Sequence, residues 1–291
     1  MMRRQRGMAL IIVLWIIVLL GIMAAGHSKN VHTEVQLAAR QVETARARGL
    51  AEAAVNHVIL EMLGQRLLQP LPTNGTPFPL AVYDDVVTVA VRNASGLVDL
   101  NVAAADLLDS TFKACGIEMT DRAALVDAIL DWRDGDNLTH LNGLEDGDYA
   151  AMGVPWGSRD GAFSSVEELR YLPGISQALF ECMSPLVTVH SGRGGIDLES
   201  APPMLVTALS GNIIEPATQE DAPSGDESRR EVPSNGTYHI YASVGAGAGA
   251  GTVASVEAVV NISRSSKQPY TILEWRDPPR HELPPLPAAE G

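Results

Sequence analysis

Asp131-Trp132-Arg133-Asp134-Gly135-Asp136 and Gly143-Leu144-Glu145-Asp146-Gly147-Asp148-Tyr149 crowd carboxylates onto two short stretches of one chain. Like charges at that density repel unless water, a basic partner or a metal ion relieves them. Hard oxygen ligands on a Gly-containing loop suit calcium. Read as an EF-hand, Asp134, Asp136 and Glu145 fall at the first, third and twelfth loop positions. Leu138 at the fifth position lacks a side-chain oxygen, and Thr139 at the sixth is not the glycine that the sharp turn needs. The stretch is therefore not an EF-hand, and by spacing alone it reads as a solvated acidic loop or a looser cation site. His140 lies among the acids and either pairs with them or stands idle, while His57 reads as a packed or solvated histidine.

Other chemistry is poorly provided for. No GxSxG, HExxH or phosphate-loop pattern occurs in the sequence. A formal charge of -14 and a pI near 4.9 argue against nucleic acid, because phosphate binding needs clustered Lys and Arg to displace counterions. Ser164 to Ile175, turning at Leu172-Pro173-Gly174-Ile175, is similar to a helix-hairpin-helix, but with acidic surroundings it reads as a protein-packing hairpin. Cys115 and Cys182 match neither a zinc site nor a CxxC redox motif; they are either free buried thiols or one disulfide. The enzyme alternative is a membrane-tethered periplasmic calcium-dependent hydrolase that uses the acids as bases, and it would require a pocket and a nucleophile that no motif marks.

The elements that must hold these residues begin with a helix. Arg3, Arg4 and Arg6 precede an uncharged run from Gly7 to Gly26, long enough to cross about 30 Å of hydrocarbon. Positive charge before the span keeps that end cytoplasmic and sends the remainder to the periplasm or exterior. A cleaved secretory signal or an ordinary single-pass anchor with a helical stalk would share this start. Val31, Val35, Ala38, Val42 and Ala45 recur at helical spacing, and Leu50, Ala54 and Val58 continue the stripe at a shifted angle, so one helix runs to before Pro70.

After a Pro-rich connection from Pro70 to Pro79, Val82 to Val91 alternates as a strand, and Thr237–Val244, Thr252–Ile262 and Tyr270–Trp275 are three more. Between them Ala103–Cys115, Arg122–Trp132, Val166–Leu172 and Ser176–Met183 show helical spacing, the third opening on a Ser165-Val166-Glu167-Glu168 capping box. The predicted class is α+β, with a long N-terminal transmembrane and amphipathic helix packed on a small antiparallel sheet and an all-helical domain inserted. Predicted boundaries are a leader at 1–7, a helix at 8–69 with its membrane span at about 8–26, a body at 70–95 and 186–277, the insertion at 96–185 and a Pro-rich tail at 278–291. Residues 211–234 read as a polar linker. A faint repeat relates Asp99-Leu100-Asn101-Val102-Ala103 with Leu107 to Asp197-Leu198-Glu199-Ser200-Ala201 with Leu205, each a strand end passing into a helix.

The chain resembles the type IV pilin-like K-type minor pseudopilins of the bacterial type II secretion system. Arg6-Gly7-Met8-Ala9-Leu10-Ile11 looks like a prepilin peptidase site, with Gly7 as the last leader residue and Met8, where most relatives have phenylalanine, as the methylated mature N-terminus. The fifth mature residue is Ile12, where most pilins carry a glutamate that neutralises a neighbour's N-terminal amine. Isoleucine there, together with a large soluble part, resembles the K-type subunit and implies a place at the pseudopilus tip, where no further subunit is received. Segments similar to the repeat bracket the helical domain in that family, and Tyr270 to Arg276 looks like its last strand. The family binds calcium through a similar Asp-Trp-x-Asp-x-Asp and Gly-x-Glu-Asp pattern. That implies Asp134, Asp136, Glu145 and Asp146 as ligands, with Asp131 and Asp148 secondary. The implied partners are I-type and J-type minor pseudopilins, the prepilin peptidase and the inner membrane, with the C-terminal domain in the periplasm.

Overall fold

The computed structural model describes residues 8–64, 71–210, 235–245, 252–263 and 267–277. The leader with Gly7, the linker read at 211–234 and the tail at 278–291 lie outside the described residues. The first element is α1, Met8–Leu63, an unbroken helix of 56 residues. Its C-terminal part buries Ala47, Ala51, Ala54, Val55, Val58, Ile59 and Met62 at helical spacing, and the alanines let the helix axis approach its partner closely. Val35, Ala38, Val42 and Ala45 of the predicted stripe stay exposed, because that part of α1 extends past the body. The expected span falls partly on side chains outside the described set; among the described residues no helix is long and apolar enough to cross a membrane.

Helix α1 lies on a five-stranded antiparallel sheet of order β1-β2-β5-β6-β7, built from Phe78–Val82, Asp85–Asn93, Asn235–Gly245, Thr252–Ser263 and Tyr270–Arg276. The strand expected at Val82 to Val91 is in fact split by a hairpin turn. Tyr83 turns the chain with φ 55, and Phe78–Val82, expected to be connection, pairs with β2. Proline at 79 is tolerated because β1 is an edge strand, where a missing N–H need not break the ladder. The other three strands stand where the alternation predicts them.

Register gives the sheet two unlike faces. Val91, Ile240, Ala258 and Trp275 oppose one another in turn and pack under α1. One position along, Arg92, His239, Val259 and Glu274 form a row on the other face, beside a second row of Ala90, Tyr241, Glu257 and Arg276. This mostly polar face carries the helical unit.

That unit contains α2 (Ala105–Ala114), α3 (Met119–Arg133), α4 (Asp146–Ala151) and α5 (Gln177–Met183), with a 3-10 helix at Val166–Tyr171. A short parallel pair, β3 (Val98–Asp99) and β4 (Val187–Thr188), closes its base, and α6 (Pro203–Leu209) packs against α2. Leu100, Leu108, Phe112, Ile129, Trp132, Leu169 and Met183 lie in its apolar core, which Leu186, Val187 and Leu205 join. The core of the unit shares no residue with the core under α1. The repeat thus covers β3 leading to α2 and, without a second strand, the approach to α6. Cys115 and Cys182 form a disulfide that ties the end of α2 to α5.

Two local expectations are corrected. The helix expected at Val166–Leu172 is a 3-10 helix at Val166–Tyr171, and Ser165 makes no side-chain cap bond. The Glu168 carboxylate accepts instead from the N–H and hydroxyl of Ser164 and from Arg159. At Leu172-Pro173-Gly174, Gly174 has φ 91 and faces Leu125 of α3, so the hairpin turn is an internal packing surface.

Candidate metal centre

The site forms where α3 stops. Asp131, fully buried, lies on its last turn, and Asp134 is the residue at which the chain leaves the helix. Arg133 pins this end by donating to the carbonyls of Leu100 at 2.7 Å and Ala103 at 2.8 Å. Trp132 stacks on Tyr171 and donates to Glu168. The loop after Asp134 then folds back over Asp131: the His140 N–H donates to its carboxylate at 3.2 Å, and the His140 ring Nδ1 contacts the same group. Gly143 is required at the return, since a Cβ there would stand 1.8 Å from Asp131 Oδ2.

Asp131, Asp134 and His140 each offer a ligand atom, all within 4.8 Å of one another. Beside them, Asp134 Oδ1, both carboxylate oxygens of Glu145 and the Tyr149 hydroxyl are buried without a hydrogen-bond partner. Glu145 is only 5% exposed. Burial, then the charges of Asp131 and Asp134, push its carboxyl up to about 7. Asp134 is raised by burial and by Asp136 and Asp131, and Tyr149 is pushed to about 12, chiefly by burial. His140 is raised by its bond to Asp131. Buried carboxylates that repel one another and lack donors are costly in an apo protein, and a hard divalent cation satisfies both defects at once. The donor set therefore fits a cation, with oxygens in the majority.

The predicted ligands separate into two groups. Asp131 and Asp134 converge with His140, and Glu145 lies near enough for the charges of both acids to act on it. Asp136 accepts from the Leu138 N–H at 2.9 Å, Asp146 from the Ser158 N–H at 3.0 Å, and Asp148 from the Glu145 N–H at 3.0 Å at the start of α4. These three shape the loop and add charge around the site. Tyr149 and Asp160, whose charge also acts on Glu145, were not in the predicted set. Tyr149 closes the Gly-Leu-Glu-Asp-Gly-Asp-Tyr run, but Asp160 is distant in sequence and its Ser-Arg-Asp-Gly context carries no ligand spacing. Ile12 lies exposed on α1, and Met8 is its first residue.

Known proteins resemble the chain in sequence and in fold. Residues 88–192 match the family model "Type II secretion system (T2SS), protein K". The chain is 31% identical over 210 residues to type II secretion system protein K of Pectobacterium carotovorum subsp. carotovorum, covering 64% of this chain and 63% of that protein. It is 26% identical over 208 residues to the protein K of Klebsiella pneumoniae, covering 64% and 63%. The match thus spans somewhat less than two thirds of the length of these curated relatives, whose names are those of secretion-system components and not of enzymes. In fold the chain is similar to the crystal structure of the GspK-GspI-GspJ complex from the enterotoxigenic Escherichia coli type 2 secretion system. The TM-score is 0.54 at 15% identity, covering 86% of this chain and 99% of that one. In sequence over residues 88–192 and in fold over most of its length, the chain is similar to type II secretion system protein K.

Proposed function

We propose that this chain is a minor pseudopilin that stands at the tip of a periplasmic pseudopilus, initiating or capping its assembly and supporting export of folded proteins. The observation that carries the reading is the three-layer arrangement: α1 covers one face of the sheet and a bulky helical unit covers the other. Repeating such a unit at every step of a narrow helical array would clash, whereas at an end it has free space. Ile12 supports the same place, since it offers no carboxylate to a following subunit's amine. On this reading the body is a pilin-like fold, and the apolar start of α1 anchors the subunit as a single pass in the inner membrane after prepilin peptidase cuts between Gly7 and Met8. The exposed stripe at Val35 and Val42 meets the parallel helices of I-type and J-type subunits. The related complex, named for GspK, GspI and GspJ, supports that choice of partners.

Calcium is the proposed occupant of the acidic centre, held by Asp131, Asp134 and Glu145 with Asp136, Asp146 and Asp148 around them. When bound it supplies charge neutralisation that rigidifies the loop after α3. The hydrolase alternative has no observation in its favour. Gold labelling of the helical unit on assembled filaments tests the main reading: label at filament ends is expected, and label spaced regularly along the shaft would overturn it.

A further inference from the structure

The helical unit and the sheet meet through polar groups. The two apolar cores share no residue, and Ala90 and Val259 are buried on the face between them. Side-chain bonds also cross the joint. Arg92 donates to the Pro185 carbonyl at 2.7 Å, Thr188 Oγ1 meets His239 Nε2 at 3.2 Å, and His190 Nε2 meets Glu274 Oε2 at 3.3 Å. Arg276 is the point where they converge. Its Nε bonds the fully buried Glu257, which is also held by His239 Nδ1 at 3.1 Å, while its Nη1 bonds Glu167 on the 3-10 helix of the helical unit. Arg276 thus serves two masters, a buried carboxylate within the sheet and an exposed one on the unit above it.

The strand that carries Arg276 lies at the edge of the sheet, anchored by Trp275 under α1. β7 is an edge strand with ladder bonds on one side only, its register slips between Val259 and Val260, and Tyr270, Ile272 and Leu273 along it are exposed. Yet β7 supplies both Glu274 and Arg276 to the joint. We propose that β7 is a latch: Arg276, seated on Glu257, holds the helical unit through Glu167, so the seating of the last strand sets the angle of that unit on the sheet. Polar bonds across such a joint are replaceable by water, which makes release of the latch reversible. The inference does not depend on the metal reading or on the tip position.

The test uses the full-length chain in detergent, with spin-label amino acids at Asp84 in the β1–β2 turn and Glu118 before α3, and pulsed electron-electron distance measurement. Glu167→Gln removes the charge from the Arg276 pair across the joint and leaves Glu257 paired; Glu167 is 46% exposed in its side chain, so this variant is expected to fold. The expected result is a second distance population, about fivefold larger than in the parent, the change that a solvent-screened pair at the top of its range supplies. Arg276→Gln should enlarge it further, while Glu181→Gln on α5 should leave a single distance. An unchanged single distance in folded Glu167→Gln overturns the latch, whether or not Arg276→Gln folds.

Discussion

At the scale of single residues, the metal centre and the joint make opposite use of buried carboxylates. Glu145 is buried without a partner, so Glu145→Gln removes a repulsion as well as a ligand. In chelator this variant is expected to melt higher than the parent, and to lose the gain of about 5–10 °C that a hundredfold excess of calcium over its Kd gives the parent. Equal parental melting curves with calcium and with chelator would leave the cluster a solvated loop. Glu257 is buried with two partners. Burial alone would raise it, but the His239 bond and the charges of His239 and Arg276 outweigh burial and hold it at about 2. Its folded value lies below the unfolded one, so its contribution, on the order of 3 kcal/mol, is complete above about pH 4.5 and fades as pH falls from there towards 2. Acid titration of stability should therefore be flatter in Glu257→Gln than in the parent over that window. Asp131, Asp134 and Glu145 were legible in sequence as acids near one another, but not their ranking. Burial of Asp131 depends on the loop folding back over α3, which spacing does not encode. Glu257 carried a signal that went unused, a lone acid inside the Val-rich strand from Thr252 to Ile262.

Among elements, those with an unbroken period were readable and those defined by contacts were not. Strands β5, β6 and β7 and helices α2, α3 and α5 stand within a few residues of their alternation or helical spacing. The β1–β2 hairpin was missed because its turn is made by Tyr83, a residue that rarely takes positive φ, and not by a glycine. β3 and β4 are two residues each, too short for any period to declare them. The open question over Cys115 and Cys182 is settled by the fold, which brings the end of α2 to α5 with the two Cα atoms 5.9 Å apart. The bridge closes a sequence separation of 67, so reducing it should cost about 4 kcal/mol and lower the melting temperature by roughly 10 °C. A reducing agent that leaves the melting curve unmoved would refute this. Gly96 is a second point of contact between segments, where a Cβ would stand 2.3 Å from the Ser200 carbonyl oxygen. Gly96→Ala is expected to destabilise by about 2 kcal/mol, read from the denaturant midpoint, since backbone must move on both sides.

For the molecule as a whole, the order of helix, strands and intervening helices was readable from the order of periods along the chain. The use of both sheet faces was not, because strand alternation shows one apolar face without saying what covers the other. A whole-molecule prediction follows from where α1 begins to be buried. Deleting residues 1–45 should leave the melting temperature within about 2 °C, since Ala47 is the first buried side chain among the described residues of the helix. A large drop would mean that the exposed part of α1 folds back on the body. The same feature has a mechanical side. From Met8 to Ala45 the helix runs about 57 Å at 1.5 Å per residue, and none of its described side chains is buried. At the gentle curvature long helices adopt, with a radius of about 80 Å, an arm of that length turns its far end through some 40°. A lone subunit is a pennant on a springy mast, and the direction in which its helical unit faces is decided by how many neighbouring helices are lashed alongside to stiffen the pole.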